Sequence, residues 1–131
     1  MTIPDPEDEA TFDTSKLDWN NRTVAEHGRF LDITRNLIAC RRQHVVPLLA
    51  ETEGFAGGFE AIGDRGLAVS WQLAQNRRLS MVAQLADQSA YGFDRPAGEV
   101  IWTSRADVMG DLARGQLPSW SVAYFLTGAP L

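Results

Sequence analysis

The chain of 131 residues has the length of a single domain, and 44% hydrophobic with 22% charged residues is the balance of a globular protein that can bury a core. Twelve basic against seventeen acidic residues leave a net charge of −5, which argues against nucleic acid as a default partner and against an anionic membrane surface. One cysteine, Cys40, excludes an internal disulfide and a cysteine-based zinc site, and no apolar run approaches the roughly 20 residues of a membrane helix.

Residues 1–22 form an acidic, turn-rich lead. Pro4 and Pro6 disfavour helix for the residues before them. A short helical turn is expected over residues 10–17. The first residues carry neither the basic nor the apolar stretch of a secretory signal, so a cytoplasmic location is expected.

Residues 23–46 form an amphipathic helical segment, with the helix itself expected over 24–43. Thr23 and Glu26 have the capping-box spacing. Phe30, Leu31, Thr34, Leu37, Ile38 and Arg41 follow at helical intervals. Arg41 and Arg42 suit the negative end of the helix dipole, and Pro47 bars much further extension. Gly28 inside this run costs about 1 kcal/mol against alanine, with no local reason in the sequence.

Residues 47–131 read as an antiparallel β-sandwich of five or six strands. Glycines 54, 57, 58, 63 and 66 interrupt its start, and Phe55, Phe59 and Ile62 suit one short edge strand. The period then becomes two. Leu67, Val69, Trp71 and Leu73 alternate with smaller or polar residues, as do Leu79, Met81, Ala83 and Leu85, and residues 75–77 form a turn between them. Short strands are expected at 91–93, 99–104 and 117–126, with a loop over 105–116. The fold class is therefore mainly β with one long N-terminal α-helix. Trp71, Trp102 and Trp120 fall at alternating strand positions and are expected in the core.

No catalytic constellation stands out. The acidic lead fails the calcium-loop pattern, with Ala10 and Lys16 at the positions that need Gly and Glu. His27 and His44 do not share a helix face, and Cys40 with His44 makes only two ligands, so neither metal nor cofactor is expected. Asp64, Asp87, Asp94, Asp107 and Asp111 sit in turn-like stretches, where aspartate serves the backbone. One functional reading is a stand-alone carbohydrate-binding or protein-interaction module, taking malto-oligosaccharide on exposed aromatics. Trp19 and Tyr91 are its stacking candidates, with Phe55 and Phe59 beside them.

Several segments taken together resemble one family. Residues 3–12, with Ser15, Leu17, Asp18 and Trp19, closely resemble a segment of the malto-oligosyltrehalose trehalohydrolases, of the α-amylase superfamily of glycoside hydrolases. The run from Leu37 to Arg42 is similar to that family's last barrel helix. Trp71 with residues 79–87, and residues 117–123, are similar to strands of its C-terminal β-sandwich. Glu7, Gln84 and Cys40 depart from the family's usual Gln, Asn and Leu. The resemblance implies a C-terminal region, the last barrel helix plus a sandwich as in α-amylase C-terminal domains, of enzymes that make trehalose from malto-oligosaccharides. It also implies a chain that is inactive alone, because the family's catalytic carboxylates lie on barrel strands with no counterpart here. By the same analogy Asp5 and Asp8 are substrate-side residues. The apolar stripe Phe30, Leu31, Leu37 and Ile38 is then expected to meet a barrel-bearing partner or a second copy of the chain.

Overall fold

The computed structural model describes residues 5–128, so Ile3 and Pro4 of the lead motif lie outside the described residues. It divides into two compact units, one up to Thr34 and one from Arg35.

The first unit is built by local hydrogen bonds. Helix α1 runs Glu9–Ser15, slightly earlier than the expected turn, and is capped by Asp8, whose Oδ1 accepts from the Ala10 N–H at 2.9 Å. A 3-10 turn follows at Trp19–Thr23, capped in the same way by Asp18. Helix α2 then runs Ala25–His44, and its first residues belong to this unit. The expected capping box is not formed. Thr23 lies inside the 3-10 turn and its hydroxyl donates to the Asn20 carbonyl at 2.7 Å, while Val24 is the extended residue before the helix. Gly28 finds its reason here: a Cβ at that position would stand 3.3 Å from the Arg22 carbonyl oxygen. The turn lies tight against the helix that follows it.

The second unit holds the rest of α2, a one-turn helix α3 at Val46–Leu49, and the sheet. Strands β1 (Gly57–Ile62), β2 (Gly66–Gln72) and β3 (Arg78–Gln84) follow one another. Short strand β4 (Ala90–Tyr91) and strand β5 (Glu99–Thr103) come next, then helix α4 (Val108–Leu112), short strand β6 (Gln116–Leu117) and strand β7 (Ser121–Thr127). The main sheet is antiparallel with order β1-β2-β3-β7-β5, and β4 pairs with β6 in a second small sheet. The β2–β3 turn places both Gln75 and Asn76 at positive φ, as a two-residue hairpin requires, and the Arg77 N–H donates to the Ala74 carbonyl.

Both faces of the sheet are used. On one, Val82, Ala123 and Phe125 pack with Phe93, Val108, Leu112 and Leu117 in the deepest core. On the other, Leu79 and Leu126 pack with Leu48 and Leu73, and Trp71, Ile101 and Tyr124 lie half-buried around them. The face richest in large apolar residues is therefore not the more deeply buried one. Small residues such as Ala68 and Ala123 let α4 and the loop carrying Phe93 approach closely.

Two expectations change in this region. The stretch 105–116 contains α4, whose single turn is too short to show a helical period. The expected strand 117–126 is two strands, broken at Pro118, Ser119 and Trp120. Trp120 has φ +49 and is 60% exposed, so it stands outside the core in which it was expected. The Ser121 hydroxyl donates to the Pro118 carbonyl at 2.7 Å and fixes this break.

Candidate functional site

Asp5, Asp8 and Trp19 belong to the first unit and Tyr91 to the second. The two aspartates share one turn, in which the Asp8 N–H donates to the Asp5 carbonyl at 3.2 Å. Their carboxylates serve the backbone: Asp5 accepts from the Glu7 N–H and Asp8 from the Ala10 N–H. Trp19 is exposed, and the Arg22 guanidinium stands 5.4 Å from its ring centre. Tyr91 is exposed on β4, opposite Gln116.

Among the described residues no group of three or more His, Cys, Asp or Glu is placed to hold a metal ion. Two of the turn aspartates have arginine partners. Asp107 meets Arg105 through both carboxylate oxygens, and that hydrogen bonding holds its carboxyl below the usual range. Asp111 pairs with Arg114.

The second unit carries an apolar cleft of about 240 Å³ between the end of α2 and the sheet, lined by Leu37, Cys40, Val45, Leu79, Trp102 and Tyr124. The Cys40 thiol donates to the Ile101 carbonyl at 3.3 Å, and burial raises its pKa. Desolvation likewise raises that of Tyr124, whose ring lies 6.1 Å from Trp102.

A second, polar cleft of about 410 Å³ opens where the ends of β1 and β3 meet the loop after β3. Asp64, Arg65, Gln84, Asp87, Gln88 and Ser89 line it. Trp120 reaches the same loop twice: its backbone N–H donates to the Ala86 carbonyl at 3.2 Å, and its indole N–H to Asp87 Oδ1 at 2.7 Å. Sequence reasoning missed this pairing. The available signal was Pro118, which argues against an unbroken strand through Trp120.

A match to the family described as a domain of unknown function, DUF3459, runs over residues 54–124. That is more than half of the chain. The chain belongs to the DUF3459 family. This DUF3459 chain is 32% identical to a malto-oligosyltrehalose trehalohydrolase of Rhizobium sp. (strain M-11) over 121 residues, 92% of its own length but 19% of the relative's. It is 34% identical over 86 residues to the enzyme of the same description from Deinococcus radiodurans, covering 58% of this chain and 14% of that one. A crystal structure of a protein described as an alpha amylase from Salmonella typhimurium superposes with a TM-score of 0.82 at 27% identity, over 97% of this chain and 20% of that chain. The chain thus spans about a fifth of the relatives it matches most fully. The resemblance to the C-terminal region of malto-oligosyltrehalose trehalohydrolases stands, and the DUF3459 architecture is that of an α-amylase C-terminal domain. None of the described helices is long and apolar enough to cross a membrane.

Proposed function

We propose that this chain is the non-catalytic module of a malto-oligosyltrehalose trehalohydrolase-like glycoside hydrolase and does not cleave the glycosidic bond alone. One observation carries this reading: similarity runs along 92% of this chain yet takes in only 19% of the relative. Hydrolysis needs two carboxyl groups held roughly 5–10 Å apart across the bond. Here Asp107 and Asp111 are bound by arginines, and Asp5 and Asp8 accept backbone hydrogen bonds. In this reading residues 1–22 are the barrel-loop-like lead, 23–46 the helix and 47–131 the sandwich. Asp5 and Asp8 lie on the substrate side of the full enzyme. The partner is a barrel, met through the stripe of α2, where Phe30, Leu37 and Ile38 are exposed and Leu31 is half-buried.

The test is trehalose release from malto-oligosyltrehalose. The purified chain alone is expected to release none. A relative's barrel, expressed without its matching region, is expected to gain activity when this chain is added, and Phe30→Asp with Ile38→Asp is expected to abolish that gain. Turnover by the isolated chain overturns the reading.

A further inference from the structure

The deeper face of the sheet is not covered along its whole width. Helix α4 does not reach the part near β1, and an open trough of about 480 Å³ lies there between strands β1 to β3 and the loop that follows Phe93. Strand register sets its floor. Gly58, Ser70 and Ser80 stand opposite one another on β1, β2 and β3, in line with Phe125 on β7. Glu60, Ala68 and Val82 form the next row, so both rows share the face that holds Val82 and Phe125 in the core. A Cβ on Gly58 would meet nothing within 4 Å, so the space above this glycine is empty.

Four polar groups line this space without a partner. Ser80 is only 8% exposed, yet its hydroxyl has no hydrogen-bond partner among the described residues, and neither has that of Ser70 beside it. A hydroxyl so far removed from bulk water is normally bonded. That of Ser80 is not sealed off, and its residue lines the trough. Glu60 on β1 and Asp94 on the loop also line it, and neither carboxylate makes an ion pair or a hydrogen bond among the described residues. No lysine, arginine or histidine lines the trough. Arg95 is engaged elsewhere: its guanidinium stands 5.3 Å from the Phe125 ring centre and donates to the Gly98 carbonyl at 3.1 Å.

The chemistry narrows the ligand. Two unpaired carboxylates disfavour phosphates and other anions and call for positive charge. A bare metal ion does not fit, because no third acidic, histidine or cysteine ligand stands with these two among the described residues. The volume is also that of a small-molecule site, roughly 300–1,000 Å³, rather than of an ion. Between the carboxylates the floor is Ala68 and Val82, which suits methylene groups. The Ser70 and Ser80 hydroxyls can accept from N–H donors. We infer that this trough binds an aliphatic diamine or polyamine, its methylene chain along Ala68, its ammonium groups donating to Glu60 and Asp94, and the Ser70 and Ser80 hydroxyls accepting beside them. The site goes beyond the proposed module role and does not depend on it, because no group in it belongs to the lead or to α2.

The test is titration of the full ¹⁵N-labelled chain with cadaverine and, separately, spermidine at about 0.15 M salt, where diffuse attraction to surface acids is screened. The backbone amide resonances of Gly58, Ser70 and Ser80 are expected to shift saturably with at least one amine. Pentylamine, with one cation on the same chain length, is expected to bind at least fivefold more weakly than cadaverine. Gly58→Val fills the empty space without a clash and suits a strand, so melting is expected to stay in place or rise while binding is lost. Glu60→Gln and Asp94→Asn are each expected to weaken binding fivefold or more. Ser80→Ala is expected to weaken it severalfold without destabilising the fold, because the hydroxyl it removes has no partner. The inference is overturned by the absence of a saturable shift with either amine, by pentylamine binding as tightly as cadaverine, or by a Gly58→Val chain that binds as the parent does. A response confined to the acidic residues 5–18 overturns it as well. Each readout is binding by this chain alone, so trehalose release with an added barrel can fail or succeed independently of it.

Discussion

The unit up to Thr34 has no buried side chain among its described residues, whereas the unit from Arg35 contains every buried one. The first is held by carboxylate caps and turn hydrogen bonds, each worth roughly 1 kcal/mol net and open to water. The second is held by two apolar clusters on the two faces of one sheet. The order of the first unit is therefore a local property that can be lost without disturbing the core, while the sheet melts as a whole. Large apolar residues do occur in the first unit. Phe12, Leu17, Trp19 and Phe30 are exposed, so they add no core to this unit.

The largest expected contrast comes from truncating one phenylalanine in each unit. Phe125 is completely buried between β7 and α4, and Phe125→Ala is expected to cost about 4 kcal/mol. Phe30→Ala is expected to cost less than about 0.5 kcal/mol, because its ring is already 64% exposed. Urea denaturation of the two variants measures the gap. Similar losses in both would mean that the first unit shares in the core after all.

A smaller loss is expected at a glycine. A Cβ on Gly66 would overlap the Ile62 carbonyl oxygen and stand 2.6 Å from the tip of Phe93, and neither neighbour can retreat without opening the β1–β2 turn or the core. Gly66→Ala is expected to cost about 2–3 kcal/mol. Gly28→Ala in the first unit meets one carbonyl at 3.3 Å and gains helix propensity, so its net effect is expected to be close to zero. Thermal melting separates the two cases, and a Gly66→Ala variant as stable as the parent would refute the packing described around Phe93.

These contrasts also show what the residues disclosed and what they withheld. The α2 period, the alternation in β2 and β3 and the turn at Gln75 and Asn76 are regular enough to be read directly. The lead motif is the most specific part of the resemblance, yet it lies in the unit that buries nothing. What stayed hidden was set by distant neighbours. Helix α4 is too short for a period to appear. Alternation alone does not say that the face of small residues is the deeper one, because that follows from α4 and Phe93 packing there. The contact between Trp120 and Asp87 was hidden for the same reason. Trp120 and Asp87 are 33 positions apart, and the strand pattern around Trp120 pointed inward until Pro118 and Ser121 broke it.

A smaller effect is expected at a cap. Asp8→Ala removes the acceptor for the Ala10 N–H and is expected to weaken α1 locally by about 1 kcal/mol. Hydrogen exchange at residues 9–13 should quicken while the midpoint of global melting stays in place. A shift of that midpoint by several degrees would tie the two units into one cooperative structure.

The last comparison falls inside one helix, since α2 crosses from one unit into the other. Cys40 reports on the part that belongs to the sheet unit, through its contact with the Ile101 carbonyl. Burial raises the thiol pKa, so the folded chain holds that proton more tightly than the unfolded chain. The sign follows. Stability linked to this group is fully present below the ordinary thiol pKa of about 8.5 and is lost as pH rises through the higher folded value. Because the thiolate is the nucleophile, alkylation of Cys40 by iodoacetamide near pH 8 is expected to be several-fold slower in the folded chain than in urea, and the gap should narrow as pH rises. Equal rates at pH 8 would mean that the end of α2 lifts from the sheet on the time scale of the reaction. The boundary between ordered core and locally held helix would then lie beyond Cys40 rather than at Thr34.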